Sequence, residues 1–294
     1  MHPTELPLLV FAVSFLLLWV SERAGSNFRN RIEEVHEDFG VILTATLTLL
    51  GLIVGFAFSM AVSRYDQRKL YEAEEANAIG TEYLRLDLLP ASDDEKLRLL
   101  LREYLDQRIL FYQTRNRERL QRIDDATAQL QSKLWASIRT PSLAHQTVMT
   151  SLAVSGLNNV LDSQGRTKAA WRNRIPLAAW ALMGVIAISG NLMVGLYLRH
   201  LGSQRRLLMV LPAIVSLSFL LIADIDSPRG GLIHVKPENL IGVAESLHSG
   251  AYHEEMPVRQ DDGTGRAEKK LIRGGPLTFR AQARSAHERK RKGF

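Results

Sequence analysis

Four stretches of the chain carry no charge for long enough to suggest membrane helices: residues 6–20, 39–62, 176–198 and 207–223. The second, FGVILTATLTLLGLIVGFAFSMAV, crosses roughly 30 Å of hydrocarbon at about 1.5 Å per residue. It runs without a break into SRYDQRKLYEAEEANAIGTEYLRLDLLP, and no proline interrupts it before Pro90. One helix is therefore expected to leave the apolar layer and continue into water. The first run is short, with Trp19 suited to an interface. A signal peptide is the competing reading, but the start MHPTE has no basic residue and SERAGS offers no convincing cleavage site. Pro176 suits the first turn of the third span, and Pro212 is expected to kink the fourth.

Between the second and third runs, the apolar residues recur at helical spacing: Leu97, Leu100, Leu101, Tyr104, Leu105, Ile109 and Tyr112. Ser92 and Glu95 have the spacing of a capping box, placing a helix start at Ser92. Pro141 is expected to end that helix or helix pair, and Asp162–Gly165 to stop the next. No period-two alternation appears, so the expected class is all-α: four transmembrane helices and one helical insert. The divisions are 1–63 for spans one and two, 64–174 for the insert and 175–224 for spans three and four. A C-terminal segment, 225–248, and a disordered basic tail, 249–294, complete the chain.

The formal net charge of +6 is a property of that tail. Residues 266–294 hold ten Lys/Arg against two Glu, leaving the remainder near −2, which argues against a nucleic-acid partner. HERKRK either touches anionic lipid or is a solvated tail. There is no cysteine, which excludes disulfides and thiolate metal sites. Basic residues near the spans favour the side holding both termini and the insert, placing these in the cytoplasm of a multi-pass cell-membrane protein. No Walker loop, HExxH, GxSxG or GxGxxG is present, the eight histidines are scattered, and no enzyme is expected.

Candidate functional residues concentrate in the second run. Gly51, Gly55 and Ser59 share a face where backbones can approach closely, an expected helix-packing site. Thr48, Leu52 and Phe56 form a neighbouring stripe, one residue per turn. Beyond the span, Arg64, Arg68, Glu72 and Glu75 line a single face and are expected to form a structural charge network, with Arg68 and Glu72 at i,i+4. Asn191, inside the third span, is either functional or bonded to a neighbouring helix. Asp224 and Asp226 flank the end of the fourth span, either as a charged boundary or as oxygen ligands. No cofactor other than Ca²⁺ at that acidic pair comes into question.

VGFAFSMAVSRYDQR, EEANAIGTEYLRLDLLP and ADIDSPRGG together resemble the bestrophin-like domain family of unknown function, over residues 6–247. More distantly, Gly55-Phe56 and Arg64-Tyr65 match the second membrane helix of true bestrophins, which are pentameric anion channels. The resemblance implies that Thr48, Leu52 and Phe56 occupy neck positions lining a pore. Only Phe56 keeps the aromatic, and Thr48 is a polar departure. Phe58, about 200° around the helix, is the rival for the axis. The acidic calcium clasp of true bestrophins is the likeness that brings Ca²⁺ to Asp224 and Asp226. The expectation is thus a homo-oligomeric ion channel among membrane lipids, conducting inorganic ions, anion or cation. The alternative is a membrane-anchored interaction or signalling protein whose insert recruits a partner. A transporter fits less well, because the four runs contain no ionisable residue.

Overall fold

The computed structural model describes residues 5–28, 38–197 and 209–249. Residues 29–37, 198–208 and the basic tail from residue 250 onward, for which disorder is expected, lie outside these described residues. Among the described residues all regular structure is helical: α1 Glu5–Phe28, α2 Asp38–Arg85, α3 Ala91–Gln113, α4 Arg117–Ala144, α5 Val148–Arg172, α6 Leu177–Tyr197, α7 Val210–Asp226 and α8 Glu238–His248. A 3₁₀ turn, Leu86–Leu88, closes α2 before Pro90. Three of the helical stretches are long and apolar enough to cross a membrane; they lie in Pro7–Phe28, Phe39–Leu88 and Val148–Tyr197. The apolar part of the second ends near Val62, and that of the third corresponds to α6. The 17 residues of α7 are apolar but shorter.

Several boundaries differ from those expected. α1 is 24 residues long and continues past Val20 through Ser21, Glu22 and Gly25. Small residues let it continue against α6: the Ser21 hydroxyl donates to the Ile188 carbonyl at 2.7 Å. A Cβ on Gly25 would collide with the Leu192 carbonyl, and one on Gly195 with the Glu22 carbonyl. The helix so extended also carries Glu22, an ionisable residue 6% exposed, which the shorter run did not include. α3 begins at Ala91 with Pro90 as its cap, so Ser92 lies within the first turn. The break between α3 and α4 falls at 114–116, where the Asn116 side chain accepts from Arg119 N, and Pro141 sits inside α4 near its end. α5 passes through Gly165 without stopping and ends at Arg172. Pro212 falls in the first turn of α7, where its missing donor costs nothing, rather than at a mid-helix kink.

Two apolar cores result. Leu18, Leu50, Ala57, Ala61, Met183 and Phe219 belong to a core among α1, α2, α6 and α7. Ile79, Tyr83, Leu101, Tyr104, Leu134 and Leu157 belong to a second, formed by the lower half of α2 with α3, α4 and α5. Tyr65 packs against both, at the point where α2 passes from one to the other. Gly190 approaches Leu47 of α2. Asn191 is fully buried, but its amide donates to Ala187 of its own helix at 2.8 Å.

The close crossing of α1 and α6 depends on the absence of side chains at Gly25 and Gly195. Gly195→Leu is expected to destabilise the protein by about 1–3 kcal/mol or more through overpacking, lowering the melting temperature in detergent. Gly51→Ala, where an added Cβ meets nothing within 4 Å, should leave the single-chain fold unchanged. Equal melting of Gly195→Leu and the parent would show that this crossing is not tight.

Candidate functional site

The four charged residues after Val62 do lie on one face of α2, yet none is paired with another of the four. Their partners lie instead on α3, α5, α7 and α8. Arg64 Nη1 meets Asp226 Oδ1 at 3.4 Å. Arg68, 1% exposed, donates to four carbonyls: Ala170 at 3.3 Å, Asn173 at 3.1 Å, Ile225 at 3.3 Å and Asp226 at 3.1 Å. Those carbonyls belong to the ends of α5 and α7, where helices leave acceptors unsatisfied and the backbone dipoles concentrate negative charge. Glu72 does the converse at the start of α8, accepting from Leu240 N at 3.0 Å and from the Asn239 side chain at 2.6 Å. The expected i,i+4 pairing of Arg68 with Glu72 is replaced by these longer-range caps.

Glu75 is wholly buried and forms an ion pair with Arg108 of α3, also wholly buried. Both Arg108 Nε and Nη2 donate to its carboxylate. The Tyr112 and Thr167 hydroxyls donate to Oε2, each at 3.1 Å. Arg108 lies 4.4 Å above the Phe111 ring. Arg229, from the turn after α7, stacks on Phe111 and on Trp171 at the same distance. It also donates to the Phe111 and Thr114 carbonyls at 2.6 and 2.9 Å. Neither Arg108 nor Arg229 stood out in the sequence, because nothing local marks a cation whose partners lie on other helices. The adjacent Glu74 is half-exposed and faces Arg166 at 3.6 Å.

A second buried carboxyl, Glu82, has no such partners. It is 1% exposed and neither oxygen has a hydrogen-bond partner. It fits against α5 because Gly156 there has no Cβ, which would otherwise overlap the carboxyl group. Burial pushes its pKa up to about 8, only partly offset by the nearby Arg85. Glu82 lies about 30 Å along the helix from Val62, well outside the apolar layer.

Asp224 and Asp226 fall in the last turn of α7. Gly231, at φ +88°, turns the chain back so that Leu232 N and Ile233 N donate to the two Asp224 oxygens at 2.8 and 2.9 Å. Ile175 N donates to both Asp226 oxygens, at 3.2 and 3.1 Å. All four carboxylate oxygens thus bind backbone amides, which ties α7 to the start of α6. Among the described residues no three His, Asp or Glu come together that could hold a metal ion. The pair alone falls well short of the six to eight oxygens calcium takes, and its geometry does not fit that ion.

In the apolar half of α2, Leu43, Leu50, Ala57 and Ala61 are buried and share one stripe. Thr48, Leu52 and Phe56 are centred about 200° from that stripe, on the opposite side. Leu52 is 54% and Phe56 61% exposed. Phe58 is 39% exposed and sits on the flank, about 80° from the buried stripe. The Thr48 hydroxyl donates to the Thr44 carbonyl at 2.8 Å, leaving its oxygen as an acceptor. Gly51, Gly55 and Ser59 are exposed, and no atom comes within 4 Å of a Cβ placed on either glycine. Close packing within the subunit therefore occurs elsewhere, at Gly25 and Gly195.

The model of the bestrophin-like domain matches residues 8–240. No curated protein is significantly similar in sequence. Among solved structures, a bacterial bestrophin homologue from Klebsiella pneumoniae is similar at 14% identity and a TM-score of 0.59, over 82% of this chain and 97% of that one. A point-substituted form of the homologue gives 13% identity and 0.59 over 83% and 98%. A structure described as a membrane protein gives 14% and 0.59 over 85% and 99%. These likenesses establish the fold.

The two buried carboxyls should respond oppositely to substitution. Glu75→Ala strands the buried Arg108 charge and is expected to cost about 3–5 kcal/mol. Glu82→Gln should stabilise the protein at alkaline pH. With a folded pKa of about 8 against an ordinary glutamate value, the unfolded chain releases its proton first. The contribution of the protonated Glu82 carboxyl to stability then falls as pH rises through that window and is gone above the folded pKa. Melts at pH 5 and pH 9 should show a wider gap between Glu82→Gln and the parent at pH 9; an equal gap at both would mean that Glu82 titrates as an ordinary surface group.

Proposed function

The chain belongs to the bestrophin-like family, and from that premise we propose that it is a homo-oligomeric ion channel of the cell membrane, its pore lined by α2. The observation that carries this reading is the outward face of α2. Thr48, Leu52 and Phe56 lie opposite the stripe that the other described helices bury. Phe56, the more exposed of the two phenylalanines and the one opposite that stripe, is the neck aromatic, and Phe58 faces a flank. Rings of Leu52 and Phe56 gate by excluding water, while Thr48 offers an oxygen acceptor to a passing ion. Gly51, Gly55 and Ser59 leave room beside the neck for the α2 helix of an adjacent subunit. Inorganic ions and surrounding lipid are the partners this requires, and no enzymatic step is involved.

A second reading, a membrane-anchored interaction protein, draws on the far end of the insert. There Leu143, Val148, Met149 and Leu152 are exposed close together in sequence, where α4 gives way to α5. The channel reading accounts for the α2 face as well, and is preferred.

In the bilayer, α1, residues 39–62, α6 and α7 make four spans, with residues 64–174 and both termini in the cytoplasm. Reporter fusions after Pro90 and after Ser249 should report the same, cytoplasmic side; opposite sides would remove α7 from the count. Purified protein in planar bilayers should conduct, with the sign of the permeant ion given by the reversal potential in a salt gradient. Phe56→Ala is expected to raise or deregulate the current and Phe58→Ala to change it little. A wild type silent in every salt, or an effect confined to Phe58→Ala, would rule out this neck.

A further inference from the structure

A cavity of about 510 Å³ lies where the insert meets the ends of α5 and α7. Cations from four segments line it: Arg117 of α4, Lys168 and Arg172 of α5, Arg174 of the link to α6, and Arg229 after α7. Two carboxylates, Asp124 and Asp125 of α4, oppose these five, and Lys168 pairs with Asp124 at 3.0 Å. Arg117, Arg172 and Arg174 make no ion pair among the described residues. The formal surplus is three positive charges.

Arg229 is what makes this more than a basic surface. Its guanidinium is fixed between the rings of Phe111 and Trp171 and by two carbonyls, so it presents a preorganised charge. Burial lowers its pKa to about 10, which still leaves it charged at neutral pH. Trp171, 6% exposed and also lining the cavity, keeps its indole N–H buried with no acceptor. Asp124 Oδ1 is likewise buried without a donor, so an occupant carrying both acceptor oxygens and a hydroxyl would satisfy both groups.

We propose that this cavity binds a ligand bearing a phosphomonoester group. A phosphomonoester carries close to two negative charges and several acceptor oxygens, so one group can accept paired bonds from more than one of these arginines, where a chloride or a carboxylate brings a single charge. The volume holds considerably more than a bare phosphate. Two sources share this chemistry. Arg174 precedes α6 by three residues and Pro228 follows α7 by two, so the cavity sits level with the entry of both helices into the apolar layer. A lipid headgroup can reach it there, and so can a phosphorylated solute from the aqueous side. Only the lipid source rests on reading α6 and α7 as spans; the cavity and its charge do not depend on whether the chain conducts.

The test uses the full chain in phosphatidylcholine nanodiscs. In one arm glycerol 3-phosphate, a soluble phosphomonoester that also carries hydroxyls, is titrated and followed by calorimetry, with acetate as the singly charged comparison. In the other, nanodiscs containing phosphatidic acid are compared with nanodiscs containing phosphatidylglycerol, by melting temperature. The double variant Arg117→Gln/Arg172→Gln alters two exposed cavity residues; Arg119→Gln/Arg122→Gln makes the same charge change in a separate hollow of α4. Saturable binding or stabilisation in either arm, weakened about tenfold or more by the cavity variant and left intact by the control variant, supports the proposal and identifies the source. Equal weakening by both variants would reduce the effect to bulk charge. No binding in either arm would overturn the proposal. So would a cavity variant whose oligomers dissociate without ligand, because an adjacent subunit would then fill the cavity.

Discussion

A carboxylate with no exposure has to be matched by positive charge and donors on the spot, and the meeting of α2, α3 and α5 is built around that requirement at Glu75. Arg108 supplies the charge from α3, Tyr112 adds a hydroxyl from the same helix and Thr167 adds one from α5. Replacing such a pair with apolar residues often costs little, whereas removing one partner costs several kcal/mol. What the pair contributes is therefore register. A slip of α2 against α3 by one residue would leave a charge buried without a partner. The constraint spreads outward through Phe111, which carries Arg108 and Arg229 as stacked cations. Through Arg229 it reaches the turn after α7, so the membrane helices and the insert are held to a common reference.

The junction between the two cores follows the same logic with backbone groups in place of side chains. Helices that end at the edge of an apolar layer leave carbonyls pointing at one another, an arrangement that is costly unless a donor is present. Arg68 donates to the ends of both α5 and α7, and Asp226 accepts the Ile175 amide at the start of α6. Glu72 supplies negative charge where α8 begins. One face of α2 thus acts as a series of caps for helices that are distant in sequence.

The parts legible in the sequence were those with a local cause. Uncharged runs gave the apolar helices, the absence of proline before Pro90 gave the unbroken α2, and helical spacing put Arg64, Arg68, Glu72 and Glu75 on one face. Their partners were not legible, since Asp226, Ala170, Leu240 and Arg108 are brought near only by folding. The same applies to α1. Its uncharged run ends at Val20, but Ser21 and Gly25 are small enough for α6 to lie against them, and that contact prolongs the helix. Gly165 looked like a stop and is not one, because α5 has α2 to pack on and tolerates one residue of poor propensity. Glu82 gave no signal of its own. Its burial depends on Gly156, a residue on another helix chosen by no visible pattern.

The orientation of the outward face of α2, the one proposed to line a pore, is a consequence of these lower contacts. In the apolar half, α2 is held by one narrow stripe of Leu43, Leu50, Ala57 and Ala61, apolar contacts that tolerate some rotation. In the lower half, directional bonds from Arg68, Glu72 and Glu75 to α3, α5, α7 and α8 tolerate none. A turn of α2 by one residue, about 100°, would break all of them together. Because the helix is continuous from Asp38 to Arg85, that fixed angle is carried into the membrane. The face bearing Thr48, Leu52 and Phe56 is accordingly directed by charges some 12 to 27 residues further along, about 18–40 Å away at 1.5 Å per residue. A substitution far below the apolar layer is thereby coupled to the direction in which Phe56 points, and the charged face of α2 sets the orientation of the face bearing Thr48, Leu52 and Phe56 without being part of it.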